Sequence, residues 1–222
     1  MVMKKLNIIL TGATGMVGEG VLLECLHNPL VESVLVIGRR PCGHGHPKLK
    51  EIIHADLSDL SAIESQVLGY NTCLFCAGVT SIGKKEDEYT KLTYTLTLGF
   101  AKTLAKVNPD MSFCYVSGKS TDSTEKGKVM WARVKGKTEN DLAKLFKSEY
   151  NFRPGMMKPS EGQKHVLSGY KYVGWLYPVV KLLAPNAACS LKEVGQAMIN
   201  VCSKGYAKQI LEVNDIVAAA KG

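Results

Sequence analysis

Residues 6–18 read Leu-Asn-Ile-Ile-Leu-Thr-Gly-Ala-Thr-Gly-Met-Val-Gly. An apolar run from Leu6 to Leu10 stops at a turn of small residues. Met16, Val17, Val21, Leu22, Cys25 and Leu26 then recur at helical spacing. A strand, a glycine turn and a helix in this order open a dinucleotide-binding unit. Gly12 can take the tight turn, Gly15 lets backbone amides approach a pyrophosphate, and Gly18 lets the helix lie close to the strand. Thr14, Met16 and Val17 complete the lip of that loop as candidate contacts. The helix N-terminus adds unpaired N–H donors and the positive end of a dipole. The spacing, G-x-x-G-x-x-G, is one residue longer than G-x-G-x-x-G. An ordinary βα turn is the alternative, but three glycines at a helix start are costly without a use.

The chain beyond this opening alternates strand and helix. A second strand, Val34–Ile37, ends at Gly38-Arg39-Arg40. An acidic residue at this position accepts the 2′-hydroxyl of NAD, whereas a guanidinium can grip a phosphate in bidentate fashion and stack on a purine. Arg39 and Arg40 therefore imply a preference for NADP(H) over NAD(H), with two merely exposed arginines as the alternative. A third strand at Ile52-Ile53 leads to Asp56-Leu57. A fourth, Thr72–Cys76, ends in Cys76-Ala77-Gly78, small residues that leave room for a ligand at the carboxyl end of a parallel sheet. Segment 80–88 is polar and reads as an exposed loop. Leu92, Leu96, Phe100, Leu104 and Val107 mark a long helix that Asn108-Pro109 ends. A fifth strand, Met111–Val116, delivers Ser117. A short sixth, Tyr150–Phe152, runs into Arg153-Pro154-Gly155-Met156.

The opening Thr11–Gly18, together with Ser117, Lys135 and the Arg153-Pro-Gly turn in that order, resembles the extended and atypical short-chain dehydrogenase/reductases, the NAD(P)-binding epimerase/dehydratase group. The resemblance spans residues 6–156. It implies an α/β fold, a doubly wound, mostly parallel sheet with helices on both faces. By the same resemblance Asp56 accepts from the exocyclic amine of the adenine and Leu57 packs on the ring; a strand-end Asp can also cap the following helix, and the two roles are not exclusive. The Cys76-Ala77-Gly78 turn lies beside the nicotinamide ribose, and Pro154, Gly155 and Met156 meet the carboxamide. Ser117 bonds the substrate carbonyl, and Lys135 bonds the ribose. The family's tyrosine, one helical turn before that lysine, is here Trp131. An indole N–H donates a hydrogen bond but does not ionise in a useful range, and losing a general acid commonly costs about 10²–10⁴-fold in rate. Lys135 has a plainer alternative as a surface lysine beside Arg133 and Lys137. Tyr89, Tyr94, Tyr115, Tyr170 and Tyr172 read as packed or half-exposed rings.

The length, 222 residues, suits one domain, with residues 1–156 as the dinucleotide-binding core and 157–222 as a substrate-side cap with C-terminal helices. Of the net charge of +8, much lies in residues 115–175, with 12 Lys/Arg against 6 Asp/Glu. That balance suits an anionic cofactor or substrate, or a solvated face; no aromatic-interleaved stripe points to nucleic acid. No apolar run is long enough to span a bilayer and no secretory pattern is present, so the cytoplasm is the default expectation. Seven cysteines in mostly apolar contexts read as buried free thiols, and Cys73 and Cys76, three apart on a strand, point to opposite faces. Cys42, His44 and His46 lie in a Gly/Pro-rich loop, and no metal site is expected from them.

Near the C-terminus, Val173–Ala184 is apolar with Pro178 inside it. It suits a core or pocket wall by default, or a face against a second copy in a homodimer, or a membrane surface. Ser190 caps a helix, with Glu193 at the capping-box position; Gln209–Val213 reads as a last strand and Asp215–Ala220 as a last helix. Two functions remain open. One is an NADP(H)-dependent oxidoreductase or epimerase-like enzyme acting on a small carbonyl or alcohol, with Ser117 and Lys135 in the site and another acid, or water, in the tyrosine's place. The other is a non-catalytic NADP(H)-binding sensor or interaction module.

Overall fold

The computed structural model describes residues 4–166 and 174–222. Tyr170, Tyr172 and Val173 lie outside the described residues. Seven strands form one parallel sheet: β1 (Leu6–Thr11), β2 (Val31–Gly38), β3 (Leu49–Ile53), β4 (Thr72–Phe75), β5 (Ser112–Val116), β6 (Ser148–Arg153) and β9 (Ile210–Glu212). Their order is β3-β2-β1-β4-β5-β6-β9, so the winding reverses between β1 and β4. A ligand crevice opens at the carboxyl ends of the strands at such a reversal.

The central strands are apolar on both sides because helices cover both faces. On β1, Ile8 and Leu10 enter the core shared with α1 (Met16–His27) and α6 (Leu191–Lys204), while Ile9 enters the core shared with α3 (Leu96–Val107). Phe75, Phe100, Phe113 and Phe146 fill that second core, with Phe75 edge-on to Phe100 at 5.3 Å and Phe113 stacked on Phe146 at 4.7 Å. Cys73 belongs to this second core and Cys76 packs against the first, as opposite strand faces require. All seven cysteines are free thiols.

The helix that precedes β5 begins earlier than its apolar periodicity suggests. α2 (Glu86–Thr90) starts inside the segment expected to be a loop and continues through a π-helical turn, Lys91–Thr95, into α3. Its charged first turn is solvated, which hides a helix start from an apolar-spacing argument. α4 (Met130–Leu142) carries Trp131 and Lys135.

The C-terminal third divides in two. α6 packs on α1, β9 extends the main sheet beside β6, and α7 (Val213–Ala220) packs on α6. Ser190 caps α6 through a capping box with Glu193, as its spacing predicts. The described residues of 156–190 instead form a small annex: β7 (Met156–Lys158) pairs in parallel with β8 (Ala188–Ser190), and α5 (Tyr177–Leu183) lies between them in sequence. The expectation that 173–184 is core fails for its described residues, although Tyr177 lines a shallow cavity with Lys158 and Ser190. None is buried, and Trp175, Leu182 and Leu183 are 71, 81 and 78 % exposed. A single helical turn or two between three-residue strands has no second layer to bury that face. Among the described residues no helix is long and apolar enough to cross a membrane.

Candidate functional site

The three glycines differ in how much room they leave for a side chain. Gly12 has φ +77°, in the left-handed region, and a Cβ there would stand 2.6 Å from the Cys76 carbonyl group. A Cβ on Gly18 would stand 2.2 Å from the Gly12 carbonyl oxygen, so the helix lies directly on the turn. Gly15 is different. Its backbone is extended (φ −116°, ψ 162°), and a Cβ would meet only the Gly12 oxygen, at 3.4 Å. The fold has no need of glycine at 15, which leaves a cradle that a methyl group would fill. The Gly15 amide donates to the Gly12 carbonyl at 2.9 Å and begins α1, and Thr11 Oγ1 accepts from the Ala77 amide at 3.2 Å, locking the turn to the end of β4.

Two cavities adjoin here. The first, about 260 Å³, is walled by Gly12, Thr14 and Gly15, by Arg39 and Arg40 at the end of β2, by Leu57, and by Cys76, Ala77 and Gly78. The second, about 380 Å³, shares Gly15, Cys76, Ala77 and Gly78 and adds Met16, Val17, Gly18, Ser117, Lys135 and Pro154. Fifteen sequence-derived candidates are thereby gathered into one crevice. Asp56 is not among them: it is exposed, and its carboxylate accepts from the Ser58 amide and hydroxyl, which holds its pKa low. Gly155 and Met156 also stand apart. A Cβ on Gly155 would lie 2.2 Å from the Ala187 carbonyl, and Met156 pairs with Ala188 in the annex.

Lys135 reaches the crevice floor from α4. Its ammonium donates to the Ser117 carbonyl and, at 3.4 Å, to the Val116 carbonyl, and it lies 5.9 Å over the Tyr115 ring. Burial lowers its pKa to about 8, against the opposing pull of Glu139. This lysine is not a free surface charge. The Ser117 hydroxyl donates to the Phe152 carbonyl at 3.2 Å. Trp131 is half-buried and walls neither cavity. Tyr89 and Tyr115 are buried, and Tyr94 donates to Asp141 at 2.8 Å, so these three rings are packing and tethering groups.

Several residues of the site lack an advance signal. Val79, Val116 and Met157 supply apolar wall. Arg153 of the Arg-Pro-Gly turn is buried and faces Glu139: its Nε donates to Oε1 at 3.0 Å, its Nη2 donates to Oε2, and Nη2 also donates to Ser123 Oγ at 2.6 Å. It anchors the turn rather than a ligand. Glu19, in the first turn of α1, has no exposed surface. Its carboxylate accepts from the Lys164 and His165 amides at 2.8 and 2.7 Å and pairs with His44 Nε2 at 2.8 Å. Burial raises its pKa, but these donors outweigh it and the net shift is downward. One carboxylate thus ties the loop after β2 and the annex to α1. A sequence scan sees only a charged residue on a helix, because both partners are remote.

Comparisons with known proteins agree with this fold. The sequence model of the NAD dependent epimerase/dehydratase family matches residues 8–131. Leucinostatins biosynthesis cluster protein T of Purpureocillium lilacinum is 31% identical over 143 residues, 63% of this chain and 52% of that protein, so the chain spans about half the length of this relative. FMP52 of Candida albicans is 25% identical over 214 residues, 90% of this chain and 89% of that protein. FMP52 is named a mitochondrial protein, as are its counterparts in Emericella nidulans and Aspergillus fumigatus, which overturns the cytoplasmic expectation. The lack of a secretory pattern does not distinguish one intracellular compartment from another. Among solved structures, the Bordetella bronchiseptica enzyme WbmF in complex with NAD+ and UDP superposes with a TM-score of 0.67 at 14% identity, covering 98% of this chain and 77% of that one, a likeness of fold. The chain belongs to the NAD dependent epimerase/dehydratase family.

Proposed function

We propose that the protein is an NADP(H)-dependent oxidoreductase that interconverts a small carbonyl compound and its alcohol. The observation that carries this reading is the continuity of the crevice. Gly15, Cys76, Ala77 and Gly78 wall both cavities, so one trench runs from Arg39 and Arg40 to Lys135. The open cradle at Gly15 fits a pyrophosphate, and the first cavity's wall carries two guanidinium groups and no carboxylate among the described residues, which fits a 2′-phosphate. When bound, the reduced dinucleotide supplies the hydride for the carbonyl carbon and is left oxidised. The carbonyl oxygen then needs one proton. Lys135 is the ionisable group suited to hold it: two of its three N–H bonds are committed to main-chain carbonyls, and the third is left for the crevice. Residues 1–222 act as one domain in this reading, with the annex around 157–190 as the substrate-side cap. The mitochondrial names of the FMP52 relatives support a mitochondrial site of action.

The cofactor preference has a direct test. NADPH is expected to bind at least about tenfold more tightly than NADH, a difference of roughly 1.4 kcal/mol. Replacing both Arg39 and Arg40 by alanine should erase it while leaving NADH affinity unchanged, as titration of cofactor fluorescence measures. Equal affinities in the unaltered protein remove the role given to the two arginines.

Trp131 favours a second reading, a protein that binds NADP(H) without turning it over. Trp131→Tyr places a phenol one helical turn before Lys135, in the spacing the family resemblance implies. If the crevice is otherwise competent, carbonyl-dependent NADPH oxidation should rise about 10²-fold. A variant as inert as its parent, with NADPH still bound, supports the sensor.

A further inference from the structure

We infer that the substrate is an uncharged, apolar carbonyl compound and that the site rejects sugar nucleotides. This rests on the oxidoreductase reading above and goes beyond it. The two halves of the crevice differ in character. The cofactor end carries Arg39 and Arg40; the other end is lined by Met16, Val17, Val79, Val116, Pro154 and Met157. Among the described residues of that second wall, Lys135 is the one charged side chain. The Ser117 hydroxyl already donates to the Phe152 carbonyl, and burial pushes the Cys76 thiol up to about 12, so it stays neutral. Among the side-chain donors of this wall, what remains for a ligand is one N–H of Lys135, enough for a single carbonyl oxygen.

A sugar nucleotide brings a second pyrophosphate and several hydroxyls. No arginine, amide or carboxylate side chain waits for them in this wall, and each buried group without a partner weakens binding. Space argues the same way. The cavity of about 380 Å³ must take the nicotinamide end as well as the substrate. An alkyl or aryl carbonyl meets the opposite balance, since every methylene laid on Met157, Val79 or Val116 leaves water for an apolar surface.

The test uses the full chain and reads binding as well as turnover. NADPH is titrated first by its fluorescence; failure at this step rejects the oxidoreductase reading and this inference together. With NADPH saturating, n-alkanols from propanol to heptanol form dead-end complexes that a change in NADPH fluorescence reports. Affinity is expected to rise about threefold to fourfold per methylene. Met157→Gln should flatten that increment, and the matching n-alkanals should drive NADPH oxidation. UDP-glucose at millimolar concentration should change neither signal. If NADPH binds but UDP-glucose binds more tightly than heptanol, or affinity does not depend on chain length, or no alkanol binds, the inference is overturned while the cofactor site stands.

Discussion

Alanine at position 15 is expected to leave the protein folded and to cost it the cofactor. The backbone of Gly15 is extended, a conformation any residue adopts, and its absent Cβ faces only one atom, at ordinary contact distance. The fold therefore gives way only through a slightly poorer helix cap, an effect of about 0.5–1 kcal/mol and a few degrees in melting temperature. The added methyl instead occupies the space in which, on the proposed function, a phosphate would meet the amides that begin α1. Forcing a methyl into a close-packed contact costs roughly 1–3 kcal/mol, so NADPH affinity should fall about tenfold to a hundredfold. Gly18→Ala is the matched control and behaves in the reverse way. Its Cβ would stand 2.2 Å from a main-chain oxygen, so strand and helix must separate and the melting temperature drops before any ligand is considered. Calorimetry with and without NADPH resolves the two effects. If Gly15→Ala binds NADPH as well as its parent, the pyrophosphate is not cradled there.

That contrast also shows what a sequence can and cannot disclose. All three glycines are visible in residues 12–18, and so are the strands that frame them, because a parallel sheet covered on both faces writes itself as runs such as Val34–Ile37. The identity of the crevice residues follows from topology: Arg40, Gly78, Ser117 and Pro154 each sit just past a strand's carboxyl end, where a doubly wound sheet leaves its opening. Contacts between distant segments are hidden. The β7–β8 pairing joins two three-residue strands about thirty positions apart, too short to carry a period. Glu19 meets partners 145 and 146 residues away. Arg153 looks like part of a ligand turn until Glu139 is seen to take its guanidinium. Asp56 is given an adenine contact only by the family resemblance; its Oδ1 accepts from the Ser58 amide and hydroxyl, a local turn contact that does not exclude that role.

The same hidden contacts put a carboxyl group where it destabilises. Glu149, Asn151 and Arg153 alternate along one face of β6, under α4, and all three are buried. Arg153 is engaged with Glu139, so among the described residues no cation pairs with Glu149; it accepts from Asn151 Nδ2 at 3.1 Å, while its Oε1 is buried without a partner there. Burial, with Glu139 adding its charge, raises the Glu149 pKa from 4.5 to about 9. The folded protein thus keeps at pH 7 a proton that the unfolded chain has released. Between pH 4.5 and about 9 the native state binds the extra proton, so stability falls as pH rises, by about 1.4 kcal/mol per unit from this group. Below that window both states hold the proton, and above it neither does. At pH 7 the accumulated cost is about 3 kcal/mol, and Glu149→Gln, which keeps the shape and an acceptor for Asn151, removes it. The variant should melt about 5–10 °C higher at pH 7. It should gain more at pH 8, gain little near pH 5, and lose the descending slope in urea titrations across this range. A variant no more stable than its parent at pH 7, or a gain that does not grow with pH, means that Glu149 ionises in the folded protein and has a partner there.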